Sequence, residues 1–152
     1  MATSTIDGTI EEATLKRSFW NMRVFDPIVI RHADGTVENL GKTVVQGELA
    51  DHIVPGASGR FYRYSTIDHQ GIHGIRDVHG AAFSAFPMNN EIASYACIAL
   101  GVVLLMLHLL GGTSLSAWGP ILLLVGVAGT AIYGQARRAS RAQFDGDDAA
   151  GT

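Results

Sequence analysis

The amino-acid sequence predicts an α+β membrane protein: a small antiparallel β-barrel or sandwich-like N-terminal domain followed by a two-helix transmembrane hairpin. Three observations carry this reading. Residues 1–88 consist of short runs of Val, Ile, Thr, Phe and Tyr broken by Gly, Pro and Asp-Gly. Residues 92–110 and 118–135 are apolar and contain no Asp, Glu, Lys or Arg. Arg137, Arg138 and Arg141 follow the second apolar segment, while the link between the two segments is uncharged.

In the N-terminal domain (residues 1–88) a first strand is expected at residues 8–16, where Thr9, Ile10, Thr14 and Leu15 are strand formers. Residues 21–32 follow with Val24, Phe25, Ile28, Val29 and Ile30. Pro27 interrupts that run and has no N–H to give to a ladder, so an edge, a bulge or two shorter strands are expected there. Ala33-Asp34-Gly35 is a turn signal, with residues 36–40 returning as the hairpin partner. Residues 46–53 are expected to form a short helix or turn that Pro55-Gly56 stops. A strand at 59–64, a turn at Asp68-His69-Gln70-Gly71 and a final hairpin of 72–78 with 81–86 complete the series. Five to seven short strands at intervals of about ten residues fit a small barrel of OB-like or SH3-like size, or a sandwich. Long apolar side chains are few for a free-standing core, so contact with a membrane or a partner is expected to add stability. Pro87-Met88-Asn89-Asn90 ends the pattern, with Asn89 or Asn90 as N-cap of the helix that follows.

The hairpin occupies residues 89–136. Its first helix, residues 92–110, holds ten Leu, Ile or Val residues. At 1.5 Å per residue it spans roughly 28 Å, close to the hydrocarbon thickness of a bilayer. The second helix, residues 118–135, contains Gly119, Gly126, Gly129 and Gly134, tolerable where an unpaired backbone is costlier than in water. The six-residue link 111–116 makes the helices antiparallel neighbours. Tyr95 and Tyr133 fall at one membrane interface and Trp118 at the other, where such rings are favoured. His108 lies a turn from the outer end of its helix, where its ring can reach the interface. Gly126, Thr130 and Gly134 share one helix face, and Ser94, Cys97 and Gly101 make a similar face on the first helix. Two such stripes of small residues are expected to pack together.

Arg137, Arg138 and Arg141 set the orientation. Positive charge is retained in the cytoplasm, so the C-terminus is expected there, and the hairpin brings the N-terminal domain to the same side. The first 18 residues include Asp7, Glu11 and Glu12 and do not read as a secretory signal. The expected location is therefore the bacterial inner (plasma) membrane, multi-pass, with N- and C-termini cytoplasmic. Residues 137–152, basic and then rich in Asp, Gly and Ala, read as a disordered tail.

The chemistry-bearing residues are sparse. His69, His73 and His79 lie close in sequence beside Asp68 and Asp77 and invite a metal site. On a strand rising 3.3 Å per residue, His73 and His79 are roughly 20 Å apart, so only His69 and His73 are weak candidates for a shared ion, with His32 and His52 joining from elsewhere. Cys97 is the only cysteine, which excludes internal disulfides and a Cys-rich metal site. No phosphate-binding loop or nucleophile elbow is present. Arg60, Arg63 and Arg76 with Tyr62 and Tyr64 suggest either a cationic-aromatic patch or, preferably, solvated strand faces. Residues 1–90 hold eight Lys or Arg against ten Asp or Glu, so a nucleic-acid surface is not expected. These readings favour a non-enzymatic interaction or regulatory module held at the cytoplasmic face of the membrane, with no catalytic residues and no cofactor. The alternatives are an accessory subunit of a transporter or envelope complex and, third, a His-dependent metal sensor or enzyme. The expected partners are the lipid bilayer and a membrane protein or a second copy of the chain.

Overall fold

The computed structural model of the chain describes residues 2–66, 69–86, 89–110 and 118–150. Asp68, the Pro87-Met88 breaker and the link 111–116 lie outside the described residues. Among the described residues seven strands precede two helices: β1 (Ala2–Phe19), β2 (Met22–Arg31), β3 (Val37–Leu40), β4 (Thr43–Gln46), β5 (Ser58–Ser65), β6 (Gln70–Asp77), β7 (Ala82–Ser84), α1 (Asn89–Leu109) and α2 (Trp118–Ala150). A 3₁₀ turn at Gly47–His52 separates β4 from β5. The chain divides into two compact units, Met1–Phe86 with Ala139–Thr152, and Pro87–Arg138.

In the first unit β1 is long enough to serve two neighbours. Its first half pairs with β5, from Ala2↔Ser65 to Thr9↔Ser58, and its second half pairs with β2, from Thr9↔Arg31 to Phe19↔Met22. β2 then pairs with β4, β4 with β6, and β6 with β5, so five strands close on themselves. The result is a barrel, not a sandwich. One junction departs from the antiparallel expectation: β4 and β6 run parallel, with Thr43↔Gln70 to Val45↔Ile72 in register. The chain leaves β4, crosses by the 3₁₀ turn and β5, and re-enters from the same end. The barrel is thus closed by one parallel junction among otherwise antiparallel ones.

Pro27 is accommodated without breaking β2. One edge of β2 meets β4 at residues 22–25 and β3 at residues 28–31. Asp26 and Pro27 fall between, with no registered partner on either edge, and β1 shifts register opposite them. The missing N–H thus falls where no ladder bond is needed. The core inside the ring contains Ile6, Ile10, Phe25, Ile28, Ile30, Val45, Phe61, Ile72 and Ile75, each at most 4% exposed.

β5 and β6 are buried on their outer face as well. Alternation puts Phe61 and Ile72 inside the ring and Tyr62, Tyr64 and His73 outside it. The outer residues are covered by the end of α2, where Ser140 and Phe144 are buried. The Phe144 ring meets Tyr62 edge-on at 4.9 Å and lies over Gly74, where an added Cβ would come within 2.6 Å of it. Gly74 is therefore required by close approach of a ring, not by backbone conformation. This differs from the expected disordered tail after residue 136. The Asp- and Gly-rich composition masks a stripe of Ser140, Phe144 and half-buried Asp147, spaced for one helix face.

In the second unit, α1 and residues 118–138 of α2 are antiparallel. A Cβ on Gly126 would meet Ile98 and the Ser94 carbonyl, one on Gly129 the Ser94 side chain, and one on Gly101 Leu123 and the Gly119 carbonyl. Gly119 and Gly129 thus share the contact with Gly126. Gly134, expected on this face, would have nothing within 4 Å of an added Cβ, and Thr130 turns its hydroxyl to the Gly126 carbonyl of its own helix at 2.9 Å. The spacing 119-126-129, not 126-130-134, follows the contact stripe. Ser94 is buried and Cys97 half-buried. The Arg137 guanidinium donates to Glu91 at 3.1 Å. Both helices are long and apolar enough to span a membrane, and only 11% and 17% of their most apolar stretches are buried.

A Gly126→Ile chain should lose about 1–3 kcal/mol by overpacking against Ile98 and Ser94. Gly134→Ile should be tolerated. Thermal unfolding of the two variants in the same detergent checks this; equal losses would contradict the placement of the helix contact.

Candidate functional site

A cleft opens in the barrel unit where β1 changes neighbours. Gly8 faces Gly59 across β1 and β5, and a Cβ on either would collide with a backbone carbonyl, Arg31 for Gly8 and Arg76 for Gly59. Glycine here lets four strands, β1, β2, β5 and β6, crowd together, and their charged ends surround a cavity of about 720 Å³. Its polar lining comes from Asp7 on β1, Arg31 and His32 at the end of β2, Arg60 on β5, Arg76 and Asp77 on β6, and Asp147 on α2.

These charges are largely paired. Arg60 donates from Nε and Nη2 to the two oxygens of Asp7, at 2.7 and 3.1 Å, and from Nη1 to Asp147 at 2.9 Å. The Tyr62 hydroxyl donates to the same Asp147 oxygen at 2.7 Å. Burial, and then its hydrogen bond to the Asp147 carboxylate, hold the Tyr62 phenol above its usual range. Arg31 donates to Glu11 at 2.6 Å, and Arg76 lies over the Phe144 ring at 5.6 Å. Exposed pairs of this kind contribute only about 0–1 kcal/mol each. They make the cleft a mosaic of both signs.

Neither the cationic-aromatic patch nor the preferred alternative, solvated strand faces, forms. Tyr62 is buried against Phe144 of α2 and Tyr64 beside His69 and His73, Arg60 is bound by two aspartates, and Arg63 donates to Glu38 at 3.0 Å and to Gln70 at 2.8 Å. The residues are therefore neither a patch nor solvated strand faces. Alternation along β5 sends the tyrosines to the outer face, and the helix that covers that face comes from the far end of the sequence.

The histidines are dispersed. His52 stacks on Phe83 at 3.7 Å, and His32 lies 3.4 Å from a Glu38 oxygen. His69 sits at the turn held by Thr66 and packs edge-on against Tyr64 at 5.7 Å. His73 is fully buried between Tyr62, Tyr64 and Phe86, with centroids 5.9–6.1 Å away. Among the described residues no group of three His, Cys, Asp or Glu is placed to hold a metal ion. Neither ring nitrogen of His73 has a partner in hydrogen-bonding geometry, although the Ser140 backbone carbonyl lies towards it. Burial drives its pKa down to about 4, opposed by that carbonyl. His73 is thus a neutral packing residue at neutral pH. His108 is exposed in the last turn of α1. Of the three arginines after the second apolar segment, Arg137 binds Glu91, Arg141 stacks over Phe86 at 5.2 Å, and Arg138 is exposed.

Sequence reasoning missed Phe144 and Asp147. The available signal was a single aromatic in a polar tail, four residues from Ser140 and three from Asp147 on one helical face. No family model, curated protein or solved structure matches this chain.

The burial of neutral His73 gives a signed pH dependence. Its pKa is about 6.5 when unfolded and about 4 when folded, so the unfolded state binds more protons in that window. Stability is complete above pH 6.5 and falls as pH drops towards 4, by about 3 kcal/mol in all. Denaturant unfolding of the intact protein at pH 7 and pH 4.5, alongside His73→Leu, should show a clearly shallower pH dependence in the variant. Identical dependences would contradict a neutral buried His73.

Proposed function

We propose that this chain is a membrane-tethered, non-enzymatic interaction or regulatory module working at the cytoplasmic face of a bacterial inner membrane. The observation that carries the reading is the make-up of the barrel unit, Met1–Phe86 with Ala139–Thr152. The chain leaves this unit, passes through two apolar helices and returns to it. Helices that cross a bilayer in such an excursion must form a hairpin with both flanks on one side.

The helix surfaces support crossing. Ile92, Leu100, Val103, Met106, Leu109, Leu124, Val125 and Val127 are each more than half exposed, a continuous apolar surface that water does not tolerate. Tyr95 and Trp118, also exposed, fit the interfacial levels. The Arg137–Glu91 pair lies at the hairpin end nearer Tyr95, and Arg138 and Arg141 beyond it favour a cytoplasmic barrel. With the charges of its cleft largely paired and the buried His73 ring kept neutral, the barrel offers a recognition surface rather than reactive groups. The Asp7–Arg60–Asp147 cleft is its most structured part. The partner is a membrane protein or a second copy of the chain. One observation favours the accessory-subunit alternative: the open face at Gly134 can receive a further helix.

Two experiments follow. A reporter active only in the periplasm, fused after Thr152, should be silent; strong activity would overturn the topology. The full chain purified in mild detergent should carry a stoichiometric partner that Asp7→Lys releases by unpairing Arg60 and altering the cleft. A monomer that binds nothing in native membranes would contradict an interaction role.

A further inference from the structure

We infer that the β1–β2 hairpin tip is a lipid-docking element that seats Trp20 among the headgroups of an anionic membrane. The inference rests on the membrane reading above. Trp20 and Asn21 form the two-residue turn between Phe19 and Met22, which pair across the hairpin. Trp20 adopts φ 49°, a left-handed conformation that a bulky side chain rarely takes and that glycine suits better. Its side chain makes no compensating contact within the fold, being 98% exposed, and Phe19 beside it is 71% exposed. A tryptophan that strains its turn and buries nothing points to something outside the fold that buries it.

Charge and position identify that occupant. Beside the tip is a groove of about 640 Å³ lined by Lys16, Arg17, Ser18, Phe19, Met22, Val24 and Lys42, three cations without a carboxylate. Asp26 holds the Lys16 ammonium at 2.7 Å, and among the described residues no ion pair engages Arg17 or Lys42. On one side of the tip Phe19 is flanked by the free cations Arg17 and Lys42, and on the other Trp20 lies beside Glu48 and the Arg23–Asp51 pair; exposed rings beside free cations fit the interface of a bilayer with acidic headgroups. The tip is also at the appropriate end of the barrel. The Gly47 amide donates to the Asn21 carbonyl, and a Cβ on Gly47 would lie 3.6 Å from that of Ala85. Ala85 is only a few residues from the start of α1 at Asn89. The tip therefore lies beside Ala85, in the last stretch of the barrel unit before residue 87.

The test uses the full chain with Trp118→Phe, which leaves Trp20 as the only tryptophan. It is reconstituted into nanodiscs of phosphatidylcholine alone, or of phosphatidylcholine and phosphatidylserine in equal parts. Trp20 emission is read against acrylamide and against a headgroup-level spin-labelled lipid. Docking predicts a blue shift, protection from acrylamide and quenching by the labelled lipid, strongest with phosphatidylserine. Arg17→Gln and Lys42→Gln should each reduce the docked-to-undocked ratio about fivefold. Incorporation into discs with Trp20 open to acrylamide and untouched by the lipid label overturns the inference while leaving the membrane reading intact. Protection from acrylamide without lipid quenching also overturns it, since a protein surface then covers the tip. Equal quenching in both lipids overturns the anionic assignment. A chain that fails to enter discs at all overturns the membrane reading and this inference with it.

Discussion

The outer face of β5 and β6 is the constraint on which much else depends. Tyr62, Tyr64 and His73 point away from the barrel interior, and an uncovered face of that composition would expose two aromatic rings and a histidine to water. Phe144 and Ser140 cover it. Because those residues lie at the far end of the sequence, the chain must come back to the barrel after its two apolar helices, and α2 must stay helical well past its apolar stretch. The same docking brings Asp147 within reach of Arg60 and Tyr62 and so completes one wall of the charged cleft. It also keeps His73 neutral and the glycine at position 74 bare.

The helical unit obeys a different balance. Its two helices touch through Gly101, Gly119, Gly126 and Gly129, where small residues let backbones approach, while the large apolar side chains face outward. A soluble helix pair would place them the other way round. On the membrane reading proposed above this arrangement is expected: in lipid the hydrophobic effect gives no reason to hide Leu or Val, and close packing of small residues is what remains to hold the pair together.

The sequence was informative where periodicity and punctuation are local. Strand alternation, the Asp34-Gly35 turn, the Pro55-Gly56 stop and both apolar helices could be read because each signal spans only a few neighbouring residues. Closure of the ring could not, since it depends on β1 changing partners at Thr9 and on β4 meeting β6 in parallel across the intervening β5. Pro27 signalled a disturbance correctly in kind, but the actual solution, one strand with two successive partners on an edge, needs the positions of β3 and β4. The glycine stripe was legible as a type of contact and not as a register: Gly134 gives way to Gly119 and Gly129. The tail misled because its composition resembles that of disordered segments, while the information that orders it is carried by a face of one helix and by aromatic residues roughly eighty positions earlier. The candidate site was largely illegible for the same reason, its lining being drawn from separate stretches of the chain.

Hydrogen exchange across residues 139–147 of the full-length protein, held in detergent or nanodiscs at neutral pH, tests the central claim most directly. If this segment docks on β5 and β6, its amides exchange as slowly as those of the barrel strands and lose that protection in Phe144→Ala. Exchange at the rate of an unstructured peptide in the unmodified protein, with the barrel strands still protected, would contradict the account.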